Sequence, residues 1–536
     1  MRSAITGRSG WSQGSLLRQL ELSRFTAAVL LFLLLSAALA LRLWTLDTPA
    51  LDRTAWKEID YIEISRHYWQ HGFRFWEPEI TWPAEPPRVT AMEFPLVPYL
   101  AALLYALFGF HTWTVRLLAI VAHLLMALYL FRLTRREFGA SVAVGAAWAA
   151  SVFAWTHEFG QMLFSEPLMI ACSVGALYHF AEWIDFRRTR DAAWSTVLFS
   201  LAVALKLEPL FLLLPLSYLA FRRWRLHWPP YRAAIRMFAV ALILPGLWYS
   251  YAFYLSRTSV DVFGVAPFLQ GHDKLQTLTM LSDAEWYRIM FWRIAGLVGG
   301  KVGLLLLAVG VAASFARKGS LSFWVYGASV GCYFAIVAEG QIDAPYRQMN
   351  AIPPLAAFVA LGAEGIGRLA SAVFRIVSGG RRVPDTVTVL VLLGVIGLIP
   401  LRRAAQMTQL DPMRPVHGGQ WELAQVLRRH AAPTSKLVTA GEYTIHRGGN
   451  DLSPVTYYYA GMQGWSLQRP DWDVEYVDEL IRRGATHFVA VDMDREPDAQ
   501  PFLKALRLRY ALLHESENGF ILDLRQPLAT TNPPPP

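Results

Sequence analysis

Phe25-Thr26-Ala27-Ala28-Val29-Leu30-Leu31-Phe32-Leu33-Leu34-Leu35-Ser36-Ala37-Ala38-Leu39-Ala40-Leu41 is a run of 17 residues without a charge, followed by Arg42-Leu43-Trp44. A secretory leader has a shorter apolar core and a small-residue cleavage site, and neither is found here, so the run reads as a retained first membrane span. Similar runs recur, near 114–131, 139–156, 166–184, 192–206, 209–221, 233–254, 295–315, 321–338, 349–367 and 386–401. At ~20 apolar residues per crossing they predict a polytopic α-helical membrane protein of about eleven transmembrane helices. The fifth and sixth nearly touch across Lys206-Leu207-Glu208-Pro209, so one long helix that fails to cross twice competes with two.

Composition agrees: of 536 residues, 54% are hydrophobic and 17% charged, against roughly 25% charged in soluble proteins. The net charge of +9 raises the question of nucleic acid, and its distribution answers it. Residues 411–536 hold 13 basic and 16 acidic side chains, leaving 37 and 25 for residues 1–410. If the N-terminus is cytoplasmic, the inner loops collect 21 basic residues against 7 acidic, and the outer side keeps 16 against 18. The positive-inside rule therefore predicts an N-terminus in the cytoplasm and, with an odd number of spans, a C-terminal region outside. No nucleic-acid partner is expected; the partner is the lipid bilayer. Cys172 and Cys332 lie inside apolar runs and imply no disulfide.

The expected organisation is a cytoplasmic N-terminus over 1–24, a membrane domain over 25–410 with a long first outer loop at 47–113, a soluble α/β domain outside the membrane over 411–527, and a Pro-rich, disordered tail over 528–536. In the soluble part, Lys436–Ala440 and His487–Val491 read as buried strands, and Val474–Arg483 as a helix closed by Gly484. Within the first loop, Phe94–Phe110 is apolar but opens with Pro95 and Pro98, which favours an interfacial helix over a crossing.

The same loop carries Trp56-Lys57-Glu58-Ile59-Asp60-Tyr61-Ile62-Glu63-Ile64-Ser65-Arg66-His67-Tyr68-Trp69. On a helix, Asp60, Glu63 and His67 share one face at i, i+3 and i+7. That pattern fits an amphipathic interfacial helix with a solvated polar face, and it also fits a carboxylate held at the membrane surface as a general base. Trp56-Lys57-Glu58-Ile59-Asp60, Ile64-Ser65-Arg66, Gly72-Phe73, Pro78-Glu79-Ile80 and above all Glu93-Phe94-Pro95-Leu96-Val97-Pro98-Tyr99-Leu100 resemble the first outer loop of GT-C membrane glycosyltransferases of the protein O-mannosyltransferase and aminoarabinose transferase type (glycosyltransferase families 39 and 83). Phe164-Ser165-Glu166-Pro167-Leu168, the Ala204–Pro215 segment around Lys206, and Tyr346-Arg347-Gln348 through Pro353-Pro354 are similar to later motifs of that group, and Tyr457-Tyr458-Tyr459 with Gly464-Trp465 resembles its soluble domain. The register departs at one place: Asp60 lies four residues before Ile64, and Lys57 occupies the position where one branch has its aspartate.

The resemblance implies a GT-C fold and transfer of a sugar, with inversion, from a polyprenyl-phosphate donor to an acceptor hydroxyl at the outer membrane face, the acceptor being a lipid, glycan or protein. It implies Asp60 as general base and Glu93 as a second catalytic residue that assists or binds a divalent cation. Lys206, Arg347, Arg66 and Lys57 are the implied phosphate ligands. Each has a plainer reading. Lys206 snorkels from a helix end, Arg347 pairs with Asp343 or Glu339, and Glu93 caps a helix. His157-Glu158 and His272-Asp273 lack ligand spacing and read as exposed loop residues, and a divalent cation is the one cofactor left open. The tryptophans near span ends, Trp69, Trp76, Trp82 and Trp248 among them, are first an interfacial belt. A transporter or lipid flippase of the same hydropathy is the alternative, but its ionisable residues belong near the bilayer midplane, and here they gather at outer span ends.

Overall fold

The computed structural model describes residues 22–51, 54–82, 84–153, 156, 159–265, 269, 277–317, 319–381, 383–408, 417–441, 453–493 and 496–528. The N-terminal residues through Glu21, the pairs His157-Glu158 and His272-Asp273, and the tail over 530–536 lie outside these.

The membrane part is a helix bundle: α1 (Arg24–Trp44), α2 (Ala55–Gln70), α3 (Leu96–Phe108), α4 (Thr112–Phe138), α5 (Ala140–Val152), α6 (Ser165–Phe186), α7 (Thr189–Leu205), α8 (Leu213–Trp224), α9 (Pro229–Ala241), α10 (Ile243–Thr258), α11 (Ala284–Leu297), α12 (Gly300–Ser314), α13 (Ser320–Ile336), α14 (Ile352–Val377) and α15 (Asp385–Thr408). Five helical stretches among the described residues are long and apolar enough to cross a membrane: Arg24–Trp44, Thr112–Phe138, Ser165–Phe186, Pro229–Thr258 and Pro345–Val377. Other apolar runs form shorter helices, such as α5 and α13. The run expected over 295–315 is interrupted, because Gly299 and Gly300 both take positive φ and α11 meets α12 at 95°. The segment expected over 192–221 is broken as well. Pro209 disfavours helical backbone at Glu208, α7 ends at Leu205, and a 3₁₀ turn over Glu208–Leu212 precedes α8.

Phe25, Phe32, Phe315, Leu247 and Val377 stand exposed on the bundle's outside, as expected where hydrocarbon is the solvent. Inside, small residues let helices touch backbone to backbone. All thirteen residues of α5 except Ala140 are buried. Gly310 of α12 and Gly362 of α14 face each other so closely that a Cβ on Gly362 would stand 1.8 Å from the Leu306 carbonyl oxygen. Two buried arginines tie the bundle together. Arg42 donates to the carbonyls of Ala38, Ser151 and Thr156 at 3.0–3.1 Å. Arg116 of α4 grips Glu58 of α2 through both carboxylate oxygens, at 2.8 and 2.9 Å, and also donates to the Leu46 carbonyl.

The C-terminal part packs α16 (Gly418–His430), α17 (Val455–Ala460), α18 (Val474–Arg482) and α19 (Gln500–Arg509) with a five-stranded sheet. Its order is β2-β1-β3-β5-β4, from β1 (Lys436–Gly441), β2 (Gln463–Leu467), β3 (His487–Val491), β4 (Tyr510–Ser516) and β5 (Gly519–Pro527). β1 runs parallel to β2 and β3, while β5 is antiparallel to β3 and β4. The central strands β1 and β3 are buried along nearly their whole length, as in a sheet covered on both faces. Gly484 closes α18 with φ +98°. This part docks on the first loop: Tyr459 donates to the Ala50 carbonyl at 3.2 Å, Tyr458 meets Thr112, and Arg483 forms an ion pair with Glu85.

Candidate active site

Four segments distant in sequence converge on one buried ion cluster. α2 brings Lys57 and, one turn on, Tyr61. The loop before α3 brings Glu93, whose neighbours are fixed on both sides: Ala91 N–H donates to the Val260 carbonyl, the Met92 carbonyl accepts from the Trp248 indole, and Phe94 N–H donates to the Ala204 carbonyl. The first turn of α6 brings Glu166, where a carboxylate also meets the positive end of the helix dipole. Lys206 caps α7 in extended backbone, so the break before Pro209 turns its side chain in among the others.

Lys57 Nζ lies 3.0 Å from Glu166 Oε1 and 3.7 Å from Glu93 Oε1. Lys206 Nζ lies 3.1 Å and 3.8 Å from the same two oxygens. The Tyr61 hydroxyl donates to Glu93 at 2.6 Å and pairs with Ser165 at 2.7 Å. Tyr346 presents its ring to Lys57, 4.4 Å from Nζ. Glu166 is wholly buried and serves as the shared anion between two lysines. Burial alone would raise Glu93, but Lys206 and Lys57 outweigh it and hold the carboxyl below its usual range, ionised.

Glu93, Lys206 and Arg347 line a cavity of about 70 Å³ with Glu208, Tyr249 and Phe263. Arg347 comes from the 3₁₀ turn that leads into α14, and its buried Nε meets no partner among the described residues. A second cavity, about 520 Å³ and mostly apolar, lies next to it: Leu207 and Glu208 wall both, and the larger is otherwise lined by groups such as Leu210, Phe211, Leu214, Tyr333 and Ile336. Glu208 is oriented between them by Asn350, which donates to it at 2.8 Å.

The site residues expected from sequence thus divide. Glu93, Lys206, Lys57 and Arg347 come together. Asp60 and Arg66 do not. Asp60 is buried, makes no hydrogen bond of proper geometry, and lies close to Trp82; burial first and the neighbouring Glu63 second push its carboxyl well above the usual range. It is absent from the lining of the polar cavity. Arg66 reaches Glu63 at 3.6 Å and stacks over Phe110. The reason is helical register: at about 3.6 residues per turn, Tyr61 lies ~40° round the helix from Lys57, whereas Asp60 lies ~60° to the other side and faces away from the cluster. Two participants lacked an assigned role in the sequence. Glu166 was visible as an acidic-Pro motif, and Tyr61 stands four residues after Lys57, on the same helical face.

The family model described as dolichyl-phosphate-mannose-protein mannosyltransferase matches residues 87–249, which hold Glu93, Glu166 and Lys206. Among solved structures, ArnT from Cupriavidus metallidurans in the apo state is similar to this chain at 15% identity with a TM-score of 0.65, covering 93% of this chain and 98% of that one. The same protein bound to undecaprenyl phosphate gives 14% and 0.63, covering 92% and 97%. The Archaeoglobus fulgidus oligosaccharyltransferase tethered to an acceptor peptide gives 11% and 0.55, covering 93% and 74%. No curated protein matches the chain by sequence. These findings bear out the resemblance read from the motifs: residues 87–249 match the mannosyltransferase family model, and the chain shares the fold of ArnT.

Proposed function

We propose that the protein is an integral membrane glycosyltransferase that moves a sugar from a polyprenyl-phosphate carrier to an acceptor hydroxyl at the outer membrane face. The observation that carries this is the pair of adjoining cavities, one polar and lined by Lys206 and Arg347 as well as Glu93 and Glu208, one apolar and about 520 Å³, sharing the wall Leu207-Glu208. Together they match an amphiphile with a phosphate at the head of a hydrocarbon chain. ArnT binds undecaprenyl phosphate, and its fold is the one seen here.

In this reading the acceptor oxygen attacks the anomeric carbon, the bond from that carbon to the phosphate oxygen breaks, and the electron pair leaves on the phosphate. The acceptor proton passes to Glu93, held ionised and facing the cavity. Lys206 and Arg347 neutralise the departing phosphate, and Lys57, pinned by Glu166, backs them. A single displacement inverts the anomeric centre. Glu93 takes the place of Asp60 as base because Asp60 is buried away from the cavity with its carboxyl biased toward the neutral form. N-in topology, with 21 basic residues on the inner side, puts this site and the C-terminal domain outside the cytoplasm.

Purified protein in vesicles with a radiolabelled polyprenyl-phosphate sugar and membrane extract tests the reading. The expected result is label on a new covalent product, lost in Glu93→Gln. Movement of the carrier between leaflets without a covalent product refutes it in favour of a flippase.

A further inference from the structure

Away from the ion cluster, the far end of α2 carries His67 and His71 at i, i+4, the spacing by which one helical face offers two imidazoles to one metal ion. Glu79 faces them from the segment that pairs with Val89. One ligand atom from each of the three lies within 4.8 Å of the others, and among the described residues no other group of three histidine, cysteine or acidic side chains does this. His71 Nδ1 is 3.0 Å from Glu79 Oε2, and the two rings sit 5.1 Å apart, tilted by 38°.

His67 supplies the second, independent observation. It is only 7% exposed, and its Nδ1 has no hydrogen-bond partner. Its other nitrogen, Nε2, sits 3.5 Å from the Thr81 hydroxyl, which in turn donates to the buried Glu63 carboxylate. Such an imidazole, tethered at one nitrogen through a hydroxyl to a carboxylate with the other left bare, has the outer-shell arrangement that orients metal-bound histidines. Arg88 and Arg66 oppose a cation, but each is paired with a carboxylate, Arg88 with Glu79 at 4.0 Å and Arg66 with Glu63 at 3.6 Å.

We propose that His67, His71 and Glu79 bind a zinc-class divalent cation, two imidazoles and one carboxylate with a fourth position open to water. Tetrahedral zinc wants ligand atoms about 3.3 Å apart, so the group closes by rotation of His71, whose side chain is 43% exposed. The ion ties the end of α2 to the 79–90 segment that leads directly into Glu93, and so stiffens the approach to the polar cavity without entering it.

Full-length protein in detergent, stripped with EDTA and dialysed against Zn²⁺ or Co²⁺, tests this by metal content and by the tetrahedral Co²⁺ absorption band. One ion per chain is expected, together with a rise in melting temperature on adding Zn²⁺. His71→Asn, at a side chain 43% exposed, is expected to lose the ion, the band and the rise while the metal-free protein melts as the metal-free wild type does. Thr81→Val, which removes no ligand, should weaken affinity ~10–100-fold. Binding of zinc by His71→Asn as tightly as by the wild type, or no stoichiometric binding by the wild type, overturns the proposal.

Discussion

Replacing Lys206 with Met removes one cation from a cluster in which two lysines balance two glutamates. Lys206 lies 3.1 Å from Glu166 and 3.8 Å from Glu93, and at an effective dielectric of 20 each contact represents about 4 to 5 kcal/mol of attraction before desolvation is counted. Removing one partner of a buried pair leaves an uncompensated charge and costs about 3–5 kcal/mol. Lys206→Met is therefore expected to melt well below the wild type in detergent and to lose transfer about 10²- to 10³-fold, the size of one lost electrostatic donor at a transition state. The second change separates the two effects. Lys206→Met/Glu166→Gln removes one charge of each sign, so stability should return to within about 1 kcal/mol of the wild type while transfer stays lost, because the phosphate ligand is still missing. Thermal unfolding followed beside single-turnover transfer gives both numbers. If the double variant is no more stable than the single one, the charge-balance account fails; if it regains activity, Lys206 is not a phosphate ligand.

Glu93→Gln should abolish transfer, whereas Asp60→Asn should leave most of it, with protein abundance and insertion unchanged in both. The pH profile separates the same two carboxyls. A base must be ionised, Glu93 is held below its ordinary value, and activity should persist on the acid side to below about pH 4.5; an acid limb above the ordinary carboxylate range would point instead to the raised Asp60. Gly362→Ala drives a methyl group against the Leu306 carbonyl, and α12 and α14 must separate, at a cost of about 1–3 kcal/mol in a thermal melt. Arg116→Met strands the buried Glu58 and frees α2 to slide. Loss of about 3–5 kcal/mol together with lost transfer is expected, and Glu58→Gln/Arg116→Met should recover stability more than activity.

Much of the bundle was legible because hydropathy acts locally: the apolar runs, the break at Lys206–Pro209 and the proline-led start of α3 all follow from neighbouring residues. The motif around Glu93 gave one wall of the site. Asp60 and Lys57 illustrate what local reading misses. Both belong to one polar stretch of one helix, and the choice between them rests on which side of that helix is turned to the cluster, which packing against residues far along the chain determines. Glu166 was visible as a motif, but its role as the common anion for Lys57 and Lys206 needs contacts that span 109 residues in one case. The interruption at Gly299–Gly300 was hidden by an apolar run that hydropathy alone treats as continuous.

The residues around the polar cavity and its ion cluster comprise three cations, Lys57, Lys206 and Arg347, and three carboxylates, Glu93, Glu166 and Glu208. Their formal charges cancel. A pocket with no net charge casts little field into the surrounding water, so dissolved nucleotides and free phosphate gain nothing from long-range steering. Discrimination falls to the adjoining apolar chamber, where each buried methylene of a carrier adds roughly 0.8 kcal/mol. Under the proposed function, water-soluble phosphates that share the headgroup chemistry are expected to compete weakly, because the hydrocarbon tail supplies the selectivity.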